Sequence, residues 1–490
     1  MFELGEIIPH WLTKQAFLAP DKCAIETDKG ESISFKELKV ASEQFARKLA
    51  EAGVGKGDRI GILSTNQQAM VIAIHALSYL GAVAVLLNTR LTEQELRYQV
   101  DDAGVSLILC NDQSTYTEDN WTGDQRLLSF SEIDQFEEKP VILQEELDLE
   151  DEFTVIYTSG TTGFAKGVIH TYGNHWWSAI GSALNLGLDE RDKWLATLPI
   201  FHVGGLSIFL KSVIYGMPVY LLEKFDAKTV DQAIETNGVT IVSVVTVMLQ
   251  RLLSEREGRR YPETFRCMLL GGGPAPLPLL EQAKKSHIPV FQSYGMTETS
   301  SQIVTLSPEH ALNKLGSAGK PLFPGQLQIN EQGEDGVGEV FVKGPMVTKG
   351  YLHNPVETEK VLQDGWLATG DLGYLDEDGF LYIVERRTDL IISGGENIYP
   401  SEIESVLTGM KEIQEVGVVG KQDEIWGQIP VAFIVTNSST LTKEEIDAYA
   451  ESYLAAYKRP KKIYFVDTLP RNAANKLVRK ELLHAIKEEE

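Results

Sequence analysis

The stretch TSGTTGFAKG, residues 158–167, follows the apolar run FTVIY and places three glycines, four hydroxyls and one lysine within ten residues. A glycine-rich turn leaving a strand exposes several backbone N–H groups at once. The hydroxyls and the lysine add further donors, so the loop suits phosphate. It is not a Walker A motif, which needs Ser or Thr directly after its lysine, because Gly167 follows Lys166. Taken alone, the loop fits an ordinary surface turn equally well.

Outward from the loop, short β-branched runs alternate with helical patterns: DRIGIL, a helix to Tyr79, AVAVLL, a helix from Thr92, SLILC, then PVYLL, TIVSVV and FRCMLL. This alternation predicts an α/β fold whose large N-terminal domain is built of helix-flanked, mostly parallel sheets. Asp226 before AKTVDQAIETNG, with Gly238 near the end, predicts a capped helix. Residues 71–87 form the most membrane-like run. They read as a buried helix ending near Gly81 and then a buried strand, so no membrane insertion is expected.

From about Gly316 the texture turns glycine-rich, as in GVGEVFVKG and YLDEDGFLYIV, which predicts a small β-rich module over about 316–387. The N-terminal domain is expected to span 1–387. A small mobile α+β domain should occupy 388–490: LIIS, a helix from Pro400, EVGVVG, VAFIV, a helix near Thr442 to Tyr457, KIYFV and a last helix. A short hinge should lie at 385–389.

Composition excludes several function classes. The 490 residues carry a formal net charge of −25, which repels nucleic acid and anionic lipid. Three scattered cysteines, Cys23, Cys110 and Cys267, fit a reducing compartment, and MFELGEIIPHWLTKQAF lacks the apolar core of a signal peptide. The expected location is cytoplasmic, and homo-oligomerisation is left open.

The ordered set TSGTTGFAKG, LPIFHVGG, GGGPAP, QSYGMTET, GWLATGD, ERRTDLIISGGENIYPSEIE and PRNAANK resembles the adenylate-forming superfamily of acyl- and aryl-CoA ligases, adenylation domains and luciferases, over nearly the whole chain. The resemblance implies activation of a small-molecule carboxylic acid with ATP and Mg²⁺, followed by transfer to coenzyme A. A carboxylate resists attack by a thiol because its charge repels the nucleophile and its oxygen leaves badly. An acyl-adenylate supplies AMP as the leaving group.

By the same resemblance, Thr158, Ser159, Gly160, Thr161, Thr162 and Gly163 with Lys166 would cradle the β- and γ-phosphates; Ala165 stands where proline is usual. Tyr294 would stack on the adenine, with Gly273 on the other side of that pocket and Ser293, Gly295 and Met296 completing the nucleotide site. Thr297 would bind the α-phosphate and Glu298 would ligate the Mg²⁺. Asp371 would accept from the ribose hydroxyls, and Arg386 would reach the ribose and phosphate region. Lys476 would be the adenylation lysine, with Asn475 where glycine is usual. The small domain would pivot at Thr388, a position commonly Asp or Lys, and bring SGGEN (393–397) to a pantetheine tunnel.

His202 reads as a gate beside the reacting carboxylate or as a buried core histidine. LPIFHVGGLSIFLKSVIYG, QSYGMTETSSQIVTL, KLGSAGKPL and ISGGENIYPSEIES resemble the o-succinylbenzoate-CoA ligases of bacterial menaquinone synthesis. That acid keeps a second, aromatic carboxylate, for which Lys211, Ser301 and Gln302 are the candidates; taken without that resemblance, Lys211 reads more readily as a solvated helix lysine. YKRPKK, with Lys458, Arg459, Lys461 and Lys462, reads as a solvated face in preference to a contact with a CoA phosphate. The competing readings are a ligase for another aryl or fatty acid and a non-catalytic nucleotide sensor.

Overall fold

The computed structural model describes residues 6–117, 120–158, 165–272, 277–330, 336–385, 390–438, 440–470, 477–479 and 481–483. A two-stranded sheet pairs Ile7–Pro9 with Glu146–Asp148, and three larger sheets build the rest of the framework. The first has seven strands in the order Gly350–Tyr351, Lys166–Thr171, Glu152–Thr158, Val83–Leu87, Arg59–Leu63, Leu107–Cys110 and Arg126–Ser129. Its last five strands are parallel, and Val83–Leu87 is buried along its whole length. Both faces of that strand are covered by helices, which is why its sequence is continuously apolar.

The helix Gln68–Leu80 ends at Gly81, whose φ of +69° is the left-handed conformation that stops a helix at low cost. Thr92 and Glu95 form a reciprocal capping box for the helix Glu93–Ala103, and Asp226 caps Ala227–Thr236 by accepting from the Thr229 N–H.

The second sheet is edged by Ser32–Ser34, antiparallel to its neighbour, and runs on through parallel strands Cys23–Thr27, Val219–Leu221, Trp194–Ala196, Ile241–Val245, Cys267–Gly271 and Val290–Met296. It then continues antiparallel through Ser301–Leu306, Ser317–Pro321, Leu381–Glu385, Trp366–Leu375, Gly338–Lys343 and Gln326–Asn330. The β-rich stretch is therefore hydrogen-bonded edge to edge onto the parallel core.

Beyond residue 390 a five-stranded sheet, with Gly427–Thr436 paired to Ile413–Asp423, Ile391–Ser393 and Lys462–Phe465, packs on the helices Pro400–Leu407 and Lys443–Tyr453. Its core includes Ile391, Ile403, Leu407, Val418, Ile434 and Ile446. The second helix stops at Tyr453 rather than Tyr457 because Leu454 turns extended, which buries Leu454 and Ala455. The last helix, expected after KIYFV, is described only at residues 479 and 481–483, and residues 484–490 fall outside the described set. All three cysteines are free, and burial pushes the Cys110 and Cys267 thiols up to about 12. Among the described residues no helix is long and apolar enough to cross a membrane.

Candidate active site

A cavity of about 570 Å³ opens where the carboxyl ends of the parallel strands meet the sheet beyond residue 390. Open α/β sheets generate crevices at this edge because the loops leaving the strands diverge there. Twelve sequence-predicted residues line it: Thr158, Lys166, His202, Lys211, Ser293, Gly295, Met296, Thr297, Glu298, Ser301, Gln302 and Asp371.

At the nucleotide end, Lys166 stands opposite Thr158 in a hairpin register, so both ends of the glycine loop are pinned to one sheet. The Lys166 ammonium is buried 2.7 Å from the Glu357 carboxylate and 5.2 Å from the Tyr351 ring centre. Glu298 is 6% exposed and accepts from the Tyr351 hydroxyl at 2.8 Å. Tyr294 is buried beside the cavity, and its hydroxyl donates to Asp371 at 2.7 Å.

Thr297–Thr299 form one 3-10 turn, after which Ser300 and Ser301 take φ values of +54° and +135°. Two successive non-glycine residues there store backbone strain. The turn is held by Ser300 Oγ donating to the Met346 carbonyl at 2.9 Å, Ser178 Oγ to the Ser300 carbonyl at 3.0 Å, and Thr299 Oγ1 to the Ser301 carbonyl at 2.7 Å. A Cβ at Gly295 would lie 2.1 Å from the Ser301 carbonyl oxygen, so the turn also demands that glycine.

At the opposite end, Lys211 projects from the helix Val203–Tyr215 and is 2% exposed, which removes the solvated-lysine reading. Its ammonium lies 5.6 Å from the Trp194 ring centre, and burial lowers its pKa to about 7. No described carboxylate forms an ion pair with it. Thr197 Oγ1 and Gln302 Oε1, which belong to residues of the same cavity wall, are buried without a hydrogen-bond partner. A buried cation with orphaned polar atoms nearby is a site built for a polar guest.

His202 precedes the same helix and is half-buried rather than a core residue; its Nε2 lies 3.0 Å from Glu396 Oε2. Glu396 belongs to SGGEN, and Gly394, Gly395, Glu396 and Asn397 all line the cavity. Arg90 also reaches Glu396, at 2.6 Å. Burial pushes the Glu396 carboxyl up, but the His202, Arg90 and Lys458 charges outweigh it and hold the pKa below the ordinary value.

Ser159, Gly160, Thr161, Thr162, Gly163, Gly273, Arg386, Thr388 and Lys476 lie outside the described residues. A further sequence reading is corrected. Lys458 is not on a solvated face: it is 5% exposed and sits 2.6 Å from Glu95 and 2.7 Å from Glu402, whose charges compensate its burial. Arg90 and Glu95 were missed because each acts through a partner hundreds of positions away, for which sequence carries no local signal.

Glu298 and Thr297 offer oxygen donors on the cavity wall, and among the described residues no three His, Cys, Asp or Glu side chains form a cage. This donor set fits Mg²⁺, which takes one or two carboxylates and completes its shell with phosphate oxygens and water.

The family model described as "AMP-binding enzyme" matches residues 12–352, and that described as "AMP-binding enzyme C-terminal domain" matches 402–476. The 2-succinylbenzoate–CoA ligase of Oceanobacillus iheyensis is 58% identical over 483 residues, covering 98% of this chain and 100% of that one. A double mutant of the o-succinylbenzoate CoA synthetase of Bacillus subtilis, bound with its product analogue OSB-NCoA, matches with 46% identity and a TM-score of 0.93 over 97% of this chain and 98% of that one. The same B. subtilis enzyme in complex with the acyl-adenylate intermediate OSB-AMP has equal identity and coverage but a TM-score of 0.77. The present chain thus shares the arrangement of the product-analogue complex more closely than that of the adenylate complex.

Proposed function

The chain belongs to the AMP-binding enzyme family, and from that premise we propose that it is an AMP-forming acid–CoA ligase acting on 2-succinylbenzoate. The products are 2-succinylbenzoyl-CoA, AMP and diphosphate, a reaction that serves menaquinone synthesis in the cytoplasm.

In the first step the succinyl carboxylate oxygen bonds to the α-phosphorus of ATP, and the bond from that phosphorus to diphosphate breaks. Thr297 would hold the α-phosphate, Asp371 the ribose hydroxyls, and Thr158, the glycine loop and Lys166 the outer phosphates. Lys166 must exchange Glu357 for phosphate oxygen to do so. Magnesium held by Glu298 would neutralise charge on the departing diphosphate, and Lys476 would supply positive charge at the in-line transition state. In the second step the CoA sulfur bonds to the acyl carbon, the thiol proton leaves to solvent, and the acyl–oxygen bond to AMP breaks.

We assign this second step to the arrangement described above, in which SGGEN forms part of the cavity wall. The likeness to the OSB-NCoA complex supports that assignment. A module spanning 388–490 would turn about Thr388 between the two steps.

The observation that carries the choice of acid is Lys211, buried in the same cavity as Thr297 and Asp371 and ion-paired to no described carboxylate. A fatty acyl chain would leave that ammonium unpaired, whereas the aromatic carboxylate of 2-succinylbenzoate would pair with it, assisted by Ser301 and Gln302. ATP–diphosphate exchange and CoA-thioester formation across succinylated, aromatic and fatty acids test the reading. The expected result is exchange confined to the dicarboxylic aromatic acid. Equal exchange with fatty acids, or release of ADP and orthophosphate, would overturn it.

A further inference from the structure

Glu95 serves two structures at once. Within the helix Glu93–Ala103 its Oε2 accepts from the Thr92 N–H and hydroxyl, both at 2.8 Å, while Thr92 Oγ1 accepts from the Glu95 N–H at 3.3 Å. The same carboxylate holds a segment 360 positions later, where Oε2 accepts from the Ala455 N–H at 3.1 Å. Its Oε1 accepts from the Lys458 ammonium at 2.6 Å.

Lys458 also donates to Glu402 at 2.7 Å, and both are buried. Burial depresses the Lys458 pKa, but the charges of Glu402 and Glu95 more than reverse this and keep the ammonium charged. One cation thus joins a carboxylate of the large domain to a carboxylate on the helix Pro400–Leu407 of its own small domain.

What happens on separation decides the role. If the segment beyond residue 390 withdraws, Lys458 retains Glu402, which travels with it. Glu95 retains Thr92 and stays in the first turn of a helix, where the macrodipole favours negative charge. Neither side is left with an uncompensated buried charge, the condition that makes most broken buried pairs so costly. The contact is strong when seated and reversible when not.

We propose that Glu95 is a positioning residue for thioester formation, a helix-capping carboxylate that latches the C-terminal module over the cavity through Lys458. This rests on the two-step reading above. Glutamine serves in a capping box as glutamate does, so Glu95→Gln leaves the helix start intact and removes only the charge that faces Lys458. Thr92→Val does the reverse, since it weakens the cap and spares the ion pair.

The test places spin labels on the exposed positions Glu51 and Lys443, as Glu51→Cys and Lys443→Cys in a Cys23→Ser background, and reads their distance distribution in the full chain. It is paired with the two half-reactions measured separately. In Glu95→Gln the population at the distance of the present arrangement should fall at least threefold. Thioester formation from supplied acyl-adenylate should fall tenfold or more, with ATP–diphosphate exchange within twofold of the parent. Thr92→Val should leave the distances and both half-reactions in place. An unchanged distance distribution in Glu95→Gln, or an equal loss in both half-reactions, would overturn the latch. Because the distances are read without turnover, a wrong choice of acid would leave that arm of the test standing.

Discussion

His202 Nε2 and Glu396 Oε2 meet at 3.0 Å across 194 positions of sequence, joining the helix that carries Lys211 to the sheet beyond residue 390. The contact puts a buried carboxylate, also held by Arg90, against the residue proposed to border the reacting acid. Hydrogen bonds to charged groups contribute about 1.5–3 kcal/mol. Glu396→Gln should therefore slow thioester formation from supplied acyl-adenylate by about tenfold or more while changing ATP–diphosphate exchange far less. Single-turnover assays of each half-reaction check this, and an exchange rate that fell as far would show that the pair serves both steps.

Lys211 should decide between two acids that differ by one carboxylate. Lys211→Met is expected to raise KM for 2-succinylbenzoate at least tenfold, about 1.4 kcal/mol, and to leave the monocarboxylic analogue nearly unaffected. Steady-state kinetics with both acids give the answer; equal effects would discard the ion pair.

The same lysine gives a pH signature. Burial lowers its pKa from 10.5 to about 7, so between those values the unfolded chain binds a proton that the folded chain has released. Stability from this group consequently rises with pH across that window and is lowest at and below pH 7. Lys211→Met should flatten the slope and raise Tm near pH 7 in thermal melts. The second carboxylate of the acid favours the protonated lysine, so KM for the dicarboxylic acid should climb as pH rises above 7 in the parent and stay flat in the variant.

Lys476→Ala is expected to lose adenylate formation by at least two decades, ~10², and to retain conversion of supplied acyl-adenylate and CoA to thioester. Rapid-quench measurement of each half-reaction separates the outcomes, and equal loss in both would remove the special role given to this residue.

Acid should unfold the large domain early. Burial lowers His10 to about 3 and His75 and His170 to about 4, from an ordinary 6.5, and His175 lies well below that value. As pH falls below 6.5 the unfolded chain takes up protons that the folded chain refuses, so stability is lost progressively down to about 4. Denaturant titrations at intervals between pH 7 and 4.5 should show this decline. His75→Leu should remove about one proton from the linkage.

Local chemistry made much of this molecule legible. Gly81, Asp226 and the Thr442 start of Lys443–Tyr453 announce element ends because capping involves neighbours only three or four residues apart. The strand runs announce a parallel core because burial on both faces leaves no polar alternation. Twelve residues of the cavity wall were named in advance, Thr297, Glu298 and Asp371 among them, because the YGMTET and TGD segments resemble motifs of a known family. The sheet continuity from Ser301–Leu306 into Ser317–Pro321 was not legible, because pairing of successive strands leaves no composition mark. Nor was Lys458, whose neighbours Arg459, Lys461 and Lys462 suggested a wet surface; its two carboxylate partners come from elsewhere in the chain.

Trp194 is one of seven tryptophans, buried with the Lys211 ammonium 5.6 Å from its ring centre. A charge so placed sets the electric field across the indole, so a carboxylate arriving beside that ammonium shifts the energy of its excited state. Should the acid dock as proposed, its arrival would be expected to shift the emission colour of Trp194, an optical gauge of pocket occupancy with no label attached.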